Sequence, residues 1–109
     1  MIPSDIKIAL IEQWEKANNL STPALVNLFD SGSHAEWYLI GMNPNDNDEC
    51  IGIVCMQTME FEDISLAELN REVAANGHEL KINLNFRPQK AMILWGELKK
   101  RRKRLYDRF

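Results

Sequence analysis

The side chains with the most chemistry to offer stand in one run. Lys99, Lys100, Arg101, Arg102, Lys103 and Arg104 are six consecutive cations, and Arg108 follows shortly after. Consecutive residues on a helix point all round its axis, so no single face can hide them, and such a segment can neutralise several phosphates at once. The chemistry implied is nucleic-acid contact, with Trp95 or Tyr106 available to stack on a base. The same run also suits a solvated helix end, or one docked on the chain's own acids, on another acidic protein surface or on a sister subunit, because cations complement the C-terminal end of a helix dipole.

The acids form a second set. Glu60, Glu62 and Asp63, with Glu36, are the residue types for an acid–base pair or a Mg²⁺ site. Glu60 and Glu62 share a strand face, but alternation with Met59 and Phe61 is what any half-buried strand shows, and no histidine or third ligand stands at a fixed spacing. Asp46, Asp48 and Glu49 match part of a calcium loop that lacks its turn glycine and terminal glutamate. The alternative use of Glu36, Asp46, Asp48, Glu60, Glu62 and Asp63 is collective, as a negative surface for a basic protein partner. His34 and His78 each lie beside turn residues without a partner at motif spacing. Cys50 and Cys55 are five apart in an apolar run, so on an extended strand they point to opposite faces and can neither bridge nor share a metal. Nucleophile motifs, a phosphate-binding glycine loop and a dinucleotide fingerprint are all missing from the sequence. The reading is therefore a non-enzymatic protein, with no catalytic residue, metal or cofactor assigned.

These residues need a scaffold. Ile6, Ala9, Leu10, Trp14 and Ala17 recur at helical spacing after Ser4, a plausible N-cap, and predict a helix over about 4–18 that stops at Asn18-Asn19. Ala24 to Phe29 reads as a strand ending in the turn cluster Asp30-Ser31-Gly32-Ser33. Glu36 to Met42 is a second strand, and Asn43 to Asp48 is a turn by composition. Cys50 to Gln57 is a third, in which Gly52 marks a bulge or a close backbone approach. Met59 to Glu62 is a fourth. Ser65-Leu66-Ala67-Glu68 is a capping box, and it opens a helix with Leu66, Leu69 and Val73 inward that Asn76-Gly77 closes. Leu80, Ile82, Leu84 and Phe86 alternate with polar residues as a strand, which Pro88 ends. From about Gln89 to Phe109 the pattern is helical, with Trp95, Leu98, Arg102, Leu105 and Phe109 on one stripe. If the body does not cover it, that stripe favours a homodimer. Trp14, Trp37 and Trp95 read as core anchors.

The sum is an α+β fold, with a mainly antiparallel sheet of four to five strands, an N-terminal helix, a middle helix and a long C-terminal helix. At 109 residues the chain is long enough for one domain with its own hydrophobic core. We place that domain at residues 1–98 and the basic helix end at 99–109. The net charge of -3 conceals an asymmetry: +6 over residues 99–109 against -9 over residues 1–98. An acidic body with a basic end points to an electrostatic partner. Few cysteines, no signal-like N-terminus and no long apolar run fit a cytoplasmic protein that does not enter a membrane.

The middle of the chain carries a resemblance. Leu28-Phe29-Asp30, Trp37-Tyr38, Gly52-Ile53-Val54, the run from Glu60 through Ser65-Leu66 with Glu68-Leu69, and Phe86 with Pro88 resemble, in that order, the domain of unknown function 2958 family. The similarity spans about residues 24–90. It implies a small bacterial protein encoded on plasmids, conjugative elements or phages, with no established activity, for which counter-defence is one role in keeping. Two acids usual in the family are replaced, by Gly41 after the Trp-Tyr pair and by Asn83 before the Phe-x-Pro element. Glu60 is the matching acid that is kept.

Overall fold

The computed structural model describes residues 1–106. Arg108 of the basic run and Phe109 of the helix stripe lie outside the described residues, as does the side chain of Tyr106. Helix α1 spans Ser4–Gln13 and tightens into a 3-10 turn at Trp14–Lys16. Pro3, rather than Ser4, holds the N-cap position; its carbonyl accepts the Lys7 amide at 2.9 Å, and no side chain caps this end. The α-helix gives way to the 3-10 turn before Asn18, and its last residue uses its side chain on the sheet. Gln13 Nε2 donates to the carbonyls of Pro23 (2.9 Å) and Ile40 (2.7 Å), tying the helix end to the sheet.

The expected strand at 24–29 divides at Leu25. Strand β1 (Pro23–Ala24) pairs with β7 (Gln89–Lys90), while β2 (Val26–Asp30) enters the main sheet. Strands β3 (Glu36–Asn43), β4 (Asp46–Cys55) and β5 (Met59–Ser65) continue that sheet. The turn between β3 and β4 is tighter than composition suggested, because Asn43 Oδ1 accepts the Asn45 amide at 2.9 Å and closes it locally. Helix α2 (Leu66–Ala75) then crosses to β6 (Leu80–Ile82), giving a wholly antiparallel order β5-β4-β3-β2-β6. Gly77, which follows α2, takes a φ of 77°, the left-handed conformation that a helix terminator requires.

The long alternating strand expected at 80–86 is cut to three residues. Asn83 ends it: its amide bonds the Asn27 carbonyl, and its Oδ1 then accepts the Asn85 amide at 3.0 Å, which bends the chain away. Leu84, expected to face inward, is consequently 81% exposed. Helix α3 starts at Ala91, two residues later than expected, and runs to Tyr106, because Gln89 and Lys90 are held in β7.

Helices cover the sheet on both faces. Leu28, Trp37, Leu39, Cys50 and Val54 pack under Leu10 of α1 and Leu69 and Val73 of α2. On the other face Tyr38, Ile40, Ile53 and Cys55 pack under Ala17 and under Ala91, Leu94 and Leu98 of α3. The fold is α+β, and the two cysteines lie on opposite faces of β4, as their spacing required. Gly52 marks a close approach, since a Cβ there would sit 2.0 Å from the Tyr38 carbonyl oxygen. The bulge falls one strand over, between Leu39 and Gly41 of β3. Of the tryptophans, Trp37 is buried in the first core, Trp95 packs against the second, and Trp14 is half-buried.

Candidate functional site

Helix α3 is fixed at its start and charged toward its end. Leu94 and Leu98 are buried to 3% and 2% exposure, which sets the rotation of the helix and therefore the direction of every cation after them. One turn past Leu98, the next inward positions are Arg101 and Arg102. Arg102 donates through Nε to the Gln57 carbonyl. Lys99, Lys100, Lys103 and Arg104 are exposed, and among the described residues none of them makes a hydrogen bond or ion pair. The basic run is thus partly docked on its own acidic body and partly held out to solvent. The stripe through Trp95 and Leu98 packs on the sheet, and among the described residues Leu105, 40% exposed, is its uncovered apolar member.

Arg101 reaches back onto the sheet. Its Nη2 donates to Glu36 Oε1 at 2.8 Å and to the Tyr38 hydroxyl oxygen at 3.1 Å. The Tyr38 hydroxyl in turn donates a short hydrogen bond to Glu36 Oε2. That carboxylate oxygen also accepts from Asn27 Nδ2 at 3.4 Å, and Asn27 Oδ1 accepts from Asn83 Nδ2 at 3.1 Å. The network therefore links α3, β3, β2 and the turn after β6. Burial first, and then the hydrogen bond to Glu36, push the Tyr38 phenol far above its usual range, so it stays a donor. Burial opposes the charge of Arg101, but Tyr38 and Glu36 outweigh it and hold the guanidinium more firmly charged.

This network forms one wall of a cleft of about 610 Å³ on the second face of the sheet. Phe29, Phe86 and Gln89 line it, as do Glu97, Lys100 and Arg104 of α3. Two residues expected to serve opposite purposes, Glu36 in an acidic surface and Arg101 in a cationic one, are therefore partners. Asn27 was not singled out by sequence, and Phe29, Tyr38 and Asn83 entered there only through the family resemblance, not as site residues. The signal present for Asn27 was a carboxamide within the apolar strand Val-Asn-Leu-Phe, a residue that burial obliges to find partners.

The other acids lie elsewhere. Asp46, Asp48, Glu49 and Asp63 gather around a shallow hollow where β4 meets β5. Asp48 is not a loose charge there: its Oδ2 accepts the Ser65 hydroxyl at 2.5 Å and its Oδ1 the Ala67 amide at 2.7 Å, so it helps Ser65 cap α2. Those two bonds, with Arg71 nearby, hold its carboxyl below the usual carboxylate range. The Glu60–Glu62 pair lies along the edge strand, where a hydrogen bond shared with Glu60, then burial and the Glu60 charge, raise the Glu62 carboxyl. His78, expected to be simply exposed, instead packs over Gly32 with Nδ1 2.9 Å from Asp30 Oδ1. The Gly32 amide, with His78 and Ser33 assisting against the effect of burial, lowers the Asp30 carboxyl. Among the described residues no three His, Cys, Asp or Glu side chains converge as metal ligands would. No helix among them is long and apolar enough to cross a membrane.

A family model described as "Protein of unknown function (DUF2958)" matches residues 1–106. The chain belongs to this family. The DUF2958 match takes in both terminal helices, well beyond the middle segment that carries the quoted motifs, so α3 and its cations are within the shared region. No curated protein and no solved structure matches the chain. The two positions at which the resemblance implies replaced acids have different surroundings. Gly41 is packed beneath the 3-10 turn, where a Cβ would sit 2.9 Å from that of Ala17. Asn83 lies in the cleft itself.

Proposed function

We propose that the protein is a non-enzymatic accessory protein of a mobile genetic element that binds nucleic acid through the basic half of α3. The observation that carries the reading is the set Lys99, Lys100, Lys103 and Arg104, exposed on a helix whose base is locked by Leu94 and Leu98. A charge array on an anchored rod needs little ordering before it meets a phosphate backbone, so less of the attraction is lost to side-chain and segment entropy. The mobile-element setting is what the family resemblance implies. The test is a titration of labelled DNA and RNA at several salt concentrations. Four phosphate contacts correspond to a slope of roughly -4 in log affinity against log salt on duplex DNA. Reversing the four charges should abolish binding while the thermal melt is kept. No binding at low salt by the native protein sinks the reading.

The acidic edge supports a second reading, a docking surface for a basic partner protein. Its favouring observation is the grouping of Asp46, Glu49, Asp63 and Glu68 around one hollow, with Glu62 and Glu72 adjoining it. Here the amide variants of Asp46, Glu49 and Asp63 should prevent capture of the partner, and charge reversal on α3 should not. The opposite pattern would exclude this surface.

A further inference from the structure

The cleft beside α3 combines three features that the phosphate-binding helix alone does not need. The first is an aromatic ring that serves no core. Phe29 lies on the second face of the sheet, half-buried, and packs in neither hydrophobic cluster among the described residues. A large apolar side chain on a strand face is ordinarily covered; this one lines a cavity instead. Its cross-strand neighbours are charged, Glu36 in β3 and Lys81 in β6.

The second feature is an anchored guanidinium. Arg101 lines the cleft and uses Nη2 for both its contacts with the sheet, and among the described residues its Nε and Nη1 donors make no hydrogen bond. Glu36 and Tyr38 fix the plane in which those donors lie, which is the preorganisation that makes arginine an effective oxyanion receptor. The third is the charge balance. Lys100, Arg101 and Arg104 line the cleft against Glu36 and Glu97, an excess of one positive charge. One phosphodiester matches that excess, whereas a triphosphate would leave most of its charge unanswered.

We infer that the cleft receives a single unpaired nucleotide of a bound strand, its base stacked on Phe29 and its phosphate against Arg101 and Arg104. The cleft volume of about 610 Å³ is of the size used for small ligands. An open aromatic ring on a sheet face with cations beside it suits a splayed-out base, because every base offers a π-face once it leaves the stack. A paired base cannot present its face in this way. The assignment rests on the nucleic-acid reading and sharpens it: single strands are preferred to duplex, and the cleft supplies the preference.

The test is fluorescence anisotropy at fixed salt with labelled oligo-dT and a duplex of equal length, alongside competition by nucleoside monophosphates. Native protein should bind the single strand more tightly. Phe29→Ala should weaken single-strand binding by about 5- to 150-fold, the range found for loss of one base–aromatic stack, and should leave duplex binding unchanged. Phe29→Leu keeps the apolar bulk and should behave like Phe29→Ala, whereas Phe29→Trp should restore affinity; circular dichroism and melting verify that each variant is folded. Equal loss on single strand and duplex, or no loss at Phe29, overturns the inference while leaving the phosphate-binding helix intact. Tight binding of free monophosphates with no single-strand preference overturns it in favour of a small-molecule site. Failure of the native protein to bind either polymer removes both readings together.

Discussion

Tyr38 and Asp30 show how single residues here depend on partners far along the chain. Removing the Tyr38 hydroxyl leaves Glu36 Oε2 with only the long Asn27 contact, and hydrogen bonds to charged groups contribute about 1.5–3 kcal/mol. Tyr38→Phe should therefore destabilise by that amount in urea denaturation, and a double-mutant cycle with Arg101→Ala should show coupling, since the two side chains share Glu36. Asp30 gives a pH signature. Its folded carboxyl titrates below the ordinary 3.8, so its contribution is present above that pH and is lost as the pH falls through the folded value. The stability gap between the native protein and Asp30→Asn should be constant near neutrality and close on acidification below about 4; a gap that widens in acid would show the sign to be wrong. Cys50 is pushed up to about 12 by burial and then by Asp48, Asp46 and Glu49. Both thiols should resist a disulfide reagent at mildly alkaline pH and react fully once the protein is unfolded. The partnerships that tie Arg101 to Glu36 and His78 to Asp30 are not local. Arg101 and Glu36 are 65 residues apart, and spacing rules reach only the neighbours that a helix or strand brings together.

At the scale of elements, local chemistry was more legible. Ser65 caps α2 by accepting the Glu68 amide on its Oγ, and Ser65→Ala should cost about 1 kcal/mol of stability by thermal or urea melting. The sequence did not disclose that Asp48 would complete the cap, because that contact crosses from β4. The strand from Leu80 carried the clearest alternation in the chain and yet stops at Ile82. A period of two states which side chains would share a face; it does not state whether a neighbouring strand exists to pair with. β2 ends its ladder with β6 at the Leu28–Ile82 pair, and Asn83 turns the chain there. Similarly, the helix expected to reach 18 tightens into a 3-10 turn after Gln13, whose side chain bonds carbonyls on β1 and β3. Boundaries were set by tertiary partners, while the existence and kind of each long element followed from its own residues.

For the whole molecule, two cores on opposite faces of one sheet have a thermodynamic consequence. Leu39 serves the first and Leu94 the second. Each Leu→Ala change should cost about 2–5 kcal/mol, and the pair should add to within about 0.5 kcal/mol because the sheet separates them. A large deviation in urea denaturation would mean that the faces repack together. The charge asymmetry read from composition survives folding in modified form, since among the described residues Arg101 and Arg102 are drawn onto the body and four cations of the run stay outward. The order of manufacture gives the placement of α3 another meaning. Its buried side chains close the second core, yet they are translated after the strands they cover, so a nascent chain carries Ile40, Ile53 and Cys55 uncovered until Ala91, Leu94 and Leu98 have left the ribosome. The helix that carries the basic run is also the cover that ends this exposed interval, and a chain truncated before it would leave that face open to chaperones and proteases.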